Sequence, residues 1–96
     1  MIIHIVLFKW KSGVSKREIQ KVFSDLKNLK NKLEGIDDIK SGENFSKYSE
    51  GFGYGPVVLA KDKKALENYR NHPLHLEIAK QTEIMEEKSL GVDFEA

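Results

Sequence analysis

With 96 residues, 40% of them hydrophobic and 32% charged, the chain can build one hydrophobic core but not two, so we expect one domain over residues 1–96. Its net charge of +1 divides only mildly into a basic first half and an acidic second half, and no basic stripe with interleaved aromatics occurs, so we expect no nucleic-acid partner. The chain has no cysteine, which excludes disulfides, thiolate nucleophiles and cysteine-type zinc sites and favours a cytoplasmic location.

The first predicted element is a strand from Ile2 to Trp10, because this run is rich in β-branched and aromatic residues. Both of its faces are apolar: one carries Ile3, Ile5 and Leu7, and the other carries the even-numbered residues, with His4 among them. Helices of so small a chain can cover one face only, so we expect the odd-numbered face to pack against a second copy in a homodimer. The apolar run is about eight residues long, so we expect neither a signal peptide nor a membrane span.

An amphipathic helix follows, with a strong signal for its first turn. Ser15 and Glu18 form an S-x-x-E capping box, and apolar residues then recur at helical spacing, Phe23 and Leu26 among them. Gly35 is placed to end this helix in a left-handed conformation.

Two strands are predicted next. Ile36–Phe45 is expected near a sheet edge because it carries several charges, and a turn at Gly51 leads into a strand over Phe52–Ala60. Pro56 has no N–H to donate to a ladder, so it favours a bulge or an edge position for that strand. The glycines of SEGFGYGPVVLA do not form a phosphate loop, because no Lys-Ser/Thr pair and no helix follow them.

The second helical region is predicted to break at a proline. Asp62 is a good N-cap for a short helix through Tyr69, which must end near Asn71 because of Pro73. Pro73 fits the first turn of a new helical segment running to about Glu87.

A last strand is predicted at LGVDFE, where Leu90, Val92 and Phe94 alternate and are expected to face inward. The predicted order is therefore β-α-β-β-α-β. This order defines an α+β, ferredoxin-like protomer, with the second helix broken at the proline.

Two histidines flank the proline in YRNHPLH. With Pro73 in the first helical turn, His72 lies at or next to the cap. His75 lies within the turn, where the helix dipole disfavours imidazolium. A neutral His75 can accept a proton as a general base, and Tyr69, one turn earlier, can converge on the same place. His4 needs a polar internal partner, because it interrupts an apolar face. We therefore predict that His4, Tyr69 and His75 share one cavity between the first helix and the sheet, with His72 at its mouth.

Two other interpretations of the histidines remain. In one, His72 caps a helix and His75 packs as a partly buried side chain without chemistry. In the other, the three histidines bind a metal, but H-x-x-H across a proline does not reproduce the i, i+4 geometry of helical zinc sites. We expect no metal and no cofactor.

The segments HIVLFKWK, IDDIKSGENFS, GF, ALENYRNHPLH and VDFE together resemble the stress-responsive A/B-barrel domain family (Dabb), over nearly the whole chain. The resemblance implies a ferredoxin-like protomer whose sheet packs against that of a second copy to form a dimeric α/β barrel. Most members of the family have no assigned reaction. A plant member cyclises a linear polyketide by an intramolecular aldol condensation, without metal or cofactor.

For this chain the resemblance implies that His75 is the base, that Tyr69 positions or polarises a substrate carbonyl, and that His4 completes the polar end of the pocket. Tyr54 stands where the cyclase has a further histidine, so polyketide cyclisation itself is not the expected reaction. Three functions stay open: a lyase- or cyclase-type enzyme, a module that binds a small hydrophobic molecule, and a structural stress-response dimer. The predicted ligand-contacting residues are Phe8, Trp10, Phe23, Leu26, Tyr54 and His72.

Overall fold

The computed structural model describes residues 1–96, and its elements confirm the predicted α+β, ferredoxin-like order. The four strands pair antiparallel throughout, in the spatial order β2-β3-β1-β4, and three α-helices cover one face. None of these helices is long and apolar enough to cross a membrane. The elements are β1 (Ile2–Trp10), α1 (Lys16–Lys27), a 3-10 turn (Asn28–Asn31), β2 (Ile36–Glu43), β3 (Tyr54–Ala60), α2 (Lys63–Asn71), α3 (Pro73–Met85) and β4 (Glu86–Glu95).

Local capping signals set the helix starts where the sequence predicts them. The Ser15 hydroxyl accepts from the Glu18 N–H at 3.1 Å, and the Glu18 carboxylate accepts from the Ser15 N–H at 3.1 Å, which completes the capping box. Asp62 accepts from the backbone N–H of Ala65 at 2.8 Å and caps α2. Gly35 has a positive φ of 79°, as predicted, although the α-helix itself ends earlier and passes into the 3-10 turn.

The hydrophobic core lies between the helices and the even-numbered face of β1. Side chains from the stripe of α1, from the buried faces of α2 and α3, and from the helix-facing side of the sheet meet there. The fifteen buried residues of this core are Ile2, Phe8, Val22, Phe23, Leu26, Leu29, Ile36, Ile39, Val58, Ala60, Ala65, Leu66, Tyr69, Ile78 and Met85.

The opposite face of the sheet is apolar and has no helix over it. Directly opposed residues of an antiparallel ladder point to the same side, so β4 extends the odd-numbered face of β1. The three apolar residues of β4 are therefore exposed in the protomer, and the prediction that they face inward is wrong. The cross-strand pairs are Ile3 with Phe94, Ile5 with Val92 and Leu7 with Leu90.

Several predicted boundaries and positions also differ. β2 ends at Glu43 rather than Phe45, β3 begins at Tyr54 rather than Phe52, and β4 begins at Glu86 rather than Leu90. The last helix ends at Met85 rather than near Glu87, and β4 begins directly after it. The strand that contains Pro56 is interior, not at an edge, because β3 pairs with both β1 and β2. No register shift marks a bulge at Pro56; instead the ladder between β1 and β3 lacks pairs opposite Val6 and Leu7. The missing proline N–H accounts for this local gap.

Candidate active site

A small cavity of ≈ 50 Å³ lies between α1, α3 and the helix-facing side of the sheet. It brings together His4 from β1, Tyr69 from the end of α2 and His75 from the first turn of α3. Its apolar wall includes three more of the predicted site residues, Phe8, Phe23 and Leu26.

The other predicted site residues lie around the cavity rather than in its wall. The rings of Trp10 and Tyr54 pack against Phe23, with centroid distances of 6.0 Å and 4.7 Å. His72 is the N-cap of α3, where its Nδ1 accepts the backbone N–H of Leu74 at 3.1 Å. These three side chains support the walls and the helix start.

His75 is held in a defined tautomer. Its Nδ1 lies 3.0 Å from the backbone carbonyl oxygen of Arg70, and because a carbonyl can only accept, Nδ1 carries the proton. Burial lowers the pKa of His75 below the ordinary value of 6.5; the hydrogen bond to the Arg70 carbonyl opposes this shift, and the charges of His4 and Arg70 add to it. The ring is therefore neutral near pH 7, with a lone pair on Nε2.

Tyr69 is only 2% exposed and packs between the two histidines. Its ring centroid lies 4.4 Å from that of His75 and 6.2 Å from that of His4. Burial raises the pKa of Tyr69 well above the usual phenol value, against a small opposing effect of the Arg70 charge. The phenol is therefore protonated and available as a hydrogen-bond donor.

The polar partner that His4 requires is Asp93 on β4, which sequence reasoning missed together with Arg70. His4 Nδ1 lies 2.5 Å from Asp93 Oδ1, and the second carboxylate oxygen of Asp93 accepts from the Arg70 guanidinium. Burial raises the pKa of Asp93, but the hydrogen bonds from His4 and Arg70 together outweigh it, and the net shift is downward. The signal available in the sequence was one acidic residue in the middle of an alternating apolar strand, VDFE.

The side chains around His4, Tyr69 and His75 bear on whether the site could bind a metal ion. The chain brings together no group of three or more His, Asp or Glu side chains that could bind a metal ion.

A larger, open cleft of ≈ 360 Å³ lies on the outer side of Arg70 and Asp93, between α2 and β4, and Lys63 and Glu95 also line it. The ion pair of Arg70 and Asp93 lines this cleft, and it is linked to the cavity through the contacts of Asp93 with His4 and of the Arg70 carbonyl with His75.

The fold and site define a ferredoxin-like α+β protein with two histidines and a buried tyrosine around one cavity. The model of the stress responsive A/B barrel domain family (Dabb) matches residues 2–96, and the chain belongs to that family. This confirms the resemblance seen in the sequence.

Similar solved structures show the same fold. The Arabidopsis thaliana protein At3g17210 is 26% identical with a TM-score of 0.91, and the match covers 100% of this chain and 95% of that one. A dimeric ferredoxin-like protein of unknown function from Jannaschia sp. CCS1 is 26% identical, with a TM-score of 0.91 and coverages of 99% and 98%. The hydroxynitrile lyase of Passiflora edulis is 24% identical, with a TM-score of 0.86 and coverages of 97% and 90%. A comparison with curated proteins gives no match.

Proposed function

We propose that the protein is a homodimer that binds a small, partly hydrophobic carbonyl compound in the cavity of each protomer. We further propose that it catalyses proton transfer next to the carbonyl group, as a cofactor-independent enzyme of lyase or cyclase type. The observation that carries this proposal is the meeting of a neutral His75, a protonated Tyr69 and His4 at one cavity. The likeness to the hydroxynitrile lyase concerns the fold, so the proposed chemistry depends on these three side chains.

His75 is the proposed general base. Its Nε2 lone pair would remove a proton from the carbon next to the carbonyl group, and the electron pair of the broken C–H bond would move to the carbonyl oxygen as an enolate. The Tyr69 phenol would donate a hydrogen bond to that oxygen as its negative charge develops. The apolar wall around Phe8, Phe23 and Leu26 would strengthen both interactions, because electrostatic interactions are stronger in surroundings of low polarity. His4 would orient the polar end of the substrate.

The homodimer is inferred from the uncovered apolar face of the sheet. Ile3, Ile5 and Leu7 of β1 are extended by the apolar residues of β4, and no helix of the chain lies over them. The similar Jannaschia protein is described as dimeric. Two such sheets packed face to face would close an α/β barrel, and the absence of cysteine fits a cytoplasmic setting.

A non-catalytic dimer, either structural or ligand-binding, is the second candidate. The observation in its favour is the cavity volume of ≈ 50 Å³. Pockets for small molecules usually measure about 300–1,000 Å³, and one water occupies about 30 Å³. An enzyme with this cavity must therefore act on a very small substrate, or its helices must move apart on binding.

Deuterium exchange tests the catalytic proposal. The protein is incubated in D₂O with a series of ketones from acetone to acetophenone, and loss of the α-proton signal is followed by proton NMR. We expect exchange of at least one ketone to be faster than in buffer, and His75→Gln to abolish the acceleration. Glu83→Gln, the same kind of polar change on the exposed side of α3, is the matched control and should leave the rate unchanged. Absence of exchange for the whole series would favour the second candidate.

A further inference from the structure

We propose that Arg70 and Asp93 are positioning residues that present the Nε2 atoms of both histidines to the cavity as proton acceptors. Arg70 acts on His75 through its backbone carbonyl and on His4 through its guanidinium and Asp93. The catalytic meaning of this arrangement depends on the proposed function. The arrangement itself can be tested without any substrate.

The first half of the arrangement follows from the break at Pro73. In a continuous helix the N–H of Leu74 would donate to the carbonyl of Arg70, four residues earlier. Here that N–H is accepted by His72 Nδ1 at 3.1 Å, which leaves the Arg70 carbonyl available. His75 Nδ1 donates to it at 3.0 Å. The H-P-L-H sequence therefore combines a helix cap with a fixed tautomer. His72 accepts the backbone N–H of Leu74, and His75 is held with its proton on Nδ1.

The second half concerns His4, which lies opposite Asp93 in the ladder between β1 and β4. An ionised carboxylate accepts hydrogen bonds only, so an Nδ1 at 2.5 Å from Oδ1 must carry the proton. The Arg70 Nη2 atom lies farther from the same Nδ1, at 3.4 Å, and it donates to Oδ2 of Asp93 instead. In the neutral form of the His4 ring, the free lone pair is therefore also on Nε2.

Arg70 also fixes which way the carboxylate group of Asp93 faces. Its guanidinium has donors only, so it must contact an oxygen atom at position 93. In an Asp93→Asn variant, Arg70 would therefore hold the amide oxygen and turn the NH₂ group toward His4. His4 Nδ1 would then have to accept a hydrogen bond, and the ring would change to the Nε2–H tautomer.

Nitrogen-15 NMR of the histidine rings measures these tautomers directly. In the wild-type protein near pH 7.5 we expect both His4 and His75 to carry their proton on Nδ1. In Asp93→Asn we expect His4 to show the Nε2–H tautomer and His75 to be unchanged. Glu95→Gln, the same acid-to-amide change on an exposed position of β4, is the matched control and should change neither ring. An Nε2–H proton on either ring of the wild-type protein would overturn the proposal.

A second variant keeps the test decisive if Asp93→Asn does not fold. Arg70→Gln removes the guanidinium that holds Asp93 beside His4, so the partly exposed carboxylate can turn toward solvent and His4 becomes a mixture of tautomers. The variant keeps the backbone carbonyl of residue 70, so His75 should stay in the Nδ1–H form. A change at His75 instead of at His4 would overturn the assignment of the two contacts. If ketone exchange is observed, Asp93→Asn should lower its kcat by on the order of a hundredfold with little change in KM. Correct tautomers without any ketone exchange would contradict the proposed function and leave the positioning roles standing.

Discussion

Replacing Leu90 by Asp should dissociate the proposed homodimer and leave the protomer folded. Leu90 lies on the edge strand β4, pairs with Leu7, and is 49% exposed in the protomer. The protomer core therefore depends little on this side chain. A second sheet packed on this face would bury it, so the carboxylate of the variant would enter an apolar interface.

The size of the effect follows from this half-exposure. Complete burial of a leucine side chain stabilises by ~1.5–3 kcal/mol, so the interface would gain about 1 kcal/mol from each copy of Leu90. Taking a carboxylate out of water costs at least about 2 kcal/mol per copy after relaxation. With two copies in the dimer, the change should weaken association by about 6 kcal/mol, which corresponds to about four orders of magnitude in Kd.

Light scattering and sedimentation at micromolar concentration would report the dissociation, and circular dichroism would report whether the variant is folded. Ile84→Asp is the matched control, because Ile84 is 73% exposed on α3, on the other side of the sheet. It should stay dimeric. A folded, dimeric Leu90→Asp protein, or a wild-type protein that is monomeric under the same conditions, would refute the placement of the interface.

Three further predictions concern stability. Dialysis against a strong chelator should leave the melting temperature unchanged, because the chain brings together no group of three or more His, Asp or Glu side chains; a lower melting temperature would reveal a bound metal. Gly35→Ala should lower the free energy of unfolding by about 1–3 kcal/mol, because φ is 79° and the new Cβ would lie 2.7 Å from the Cβ of Ala65. Gly13→Ala has a similar φ of 89° and no such neighbour, so denaturant titration should show a smaller loss there. As the pH falls below 6.5, the wild-type protein should lose stability, because the lowered pKa of His75 means that the unfolded chain binds the proton first. His75→Gln should reduce this slope, and an unchanged slope would argue against a buried, neutral ring.

Local signals made much of the fold predictable. The ends of β1, the capping box at Ser15, the cap at Asp62 and the break at Pro73 each depend on a few neighbouring residues, and the structure matches them. The direction in which β4 faces does not depend on local sequence. Its alternation of apolar residues is the same for either face, and only the pairing with β1 decides which one meets the helices.

In the candidate site, too, local sequence predicted some of the residues, while others depend on long-range strand pairing. The proline break and helical spacing predicted that Tyr69 and His75 lie close together, and both line the cavity with His4. Asp93 is 89 residues from His4 along the chain, and their contact follows from the register between the first and last strands. The sequence indicated that His4 needs a polar partner, but only that long-range register identifies the partner as Asp93, with Arg70 beyond it.

The proposed chemistry requires that His75 is a neutral base facing the cavity. An NMR titration of its ring in the wild-type protein tests this claim most directly. Because burial lowers the pKa of His75, we expect its midpoint below 6.5, with the Nδ1 proton retained by the Arg70 carbonyl. A midpoint clearly above 6.5 would show a ring that is cationic near neutral pH and unable to accept a proton, and it would contradict the proposed role of His75.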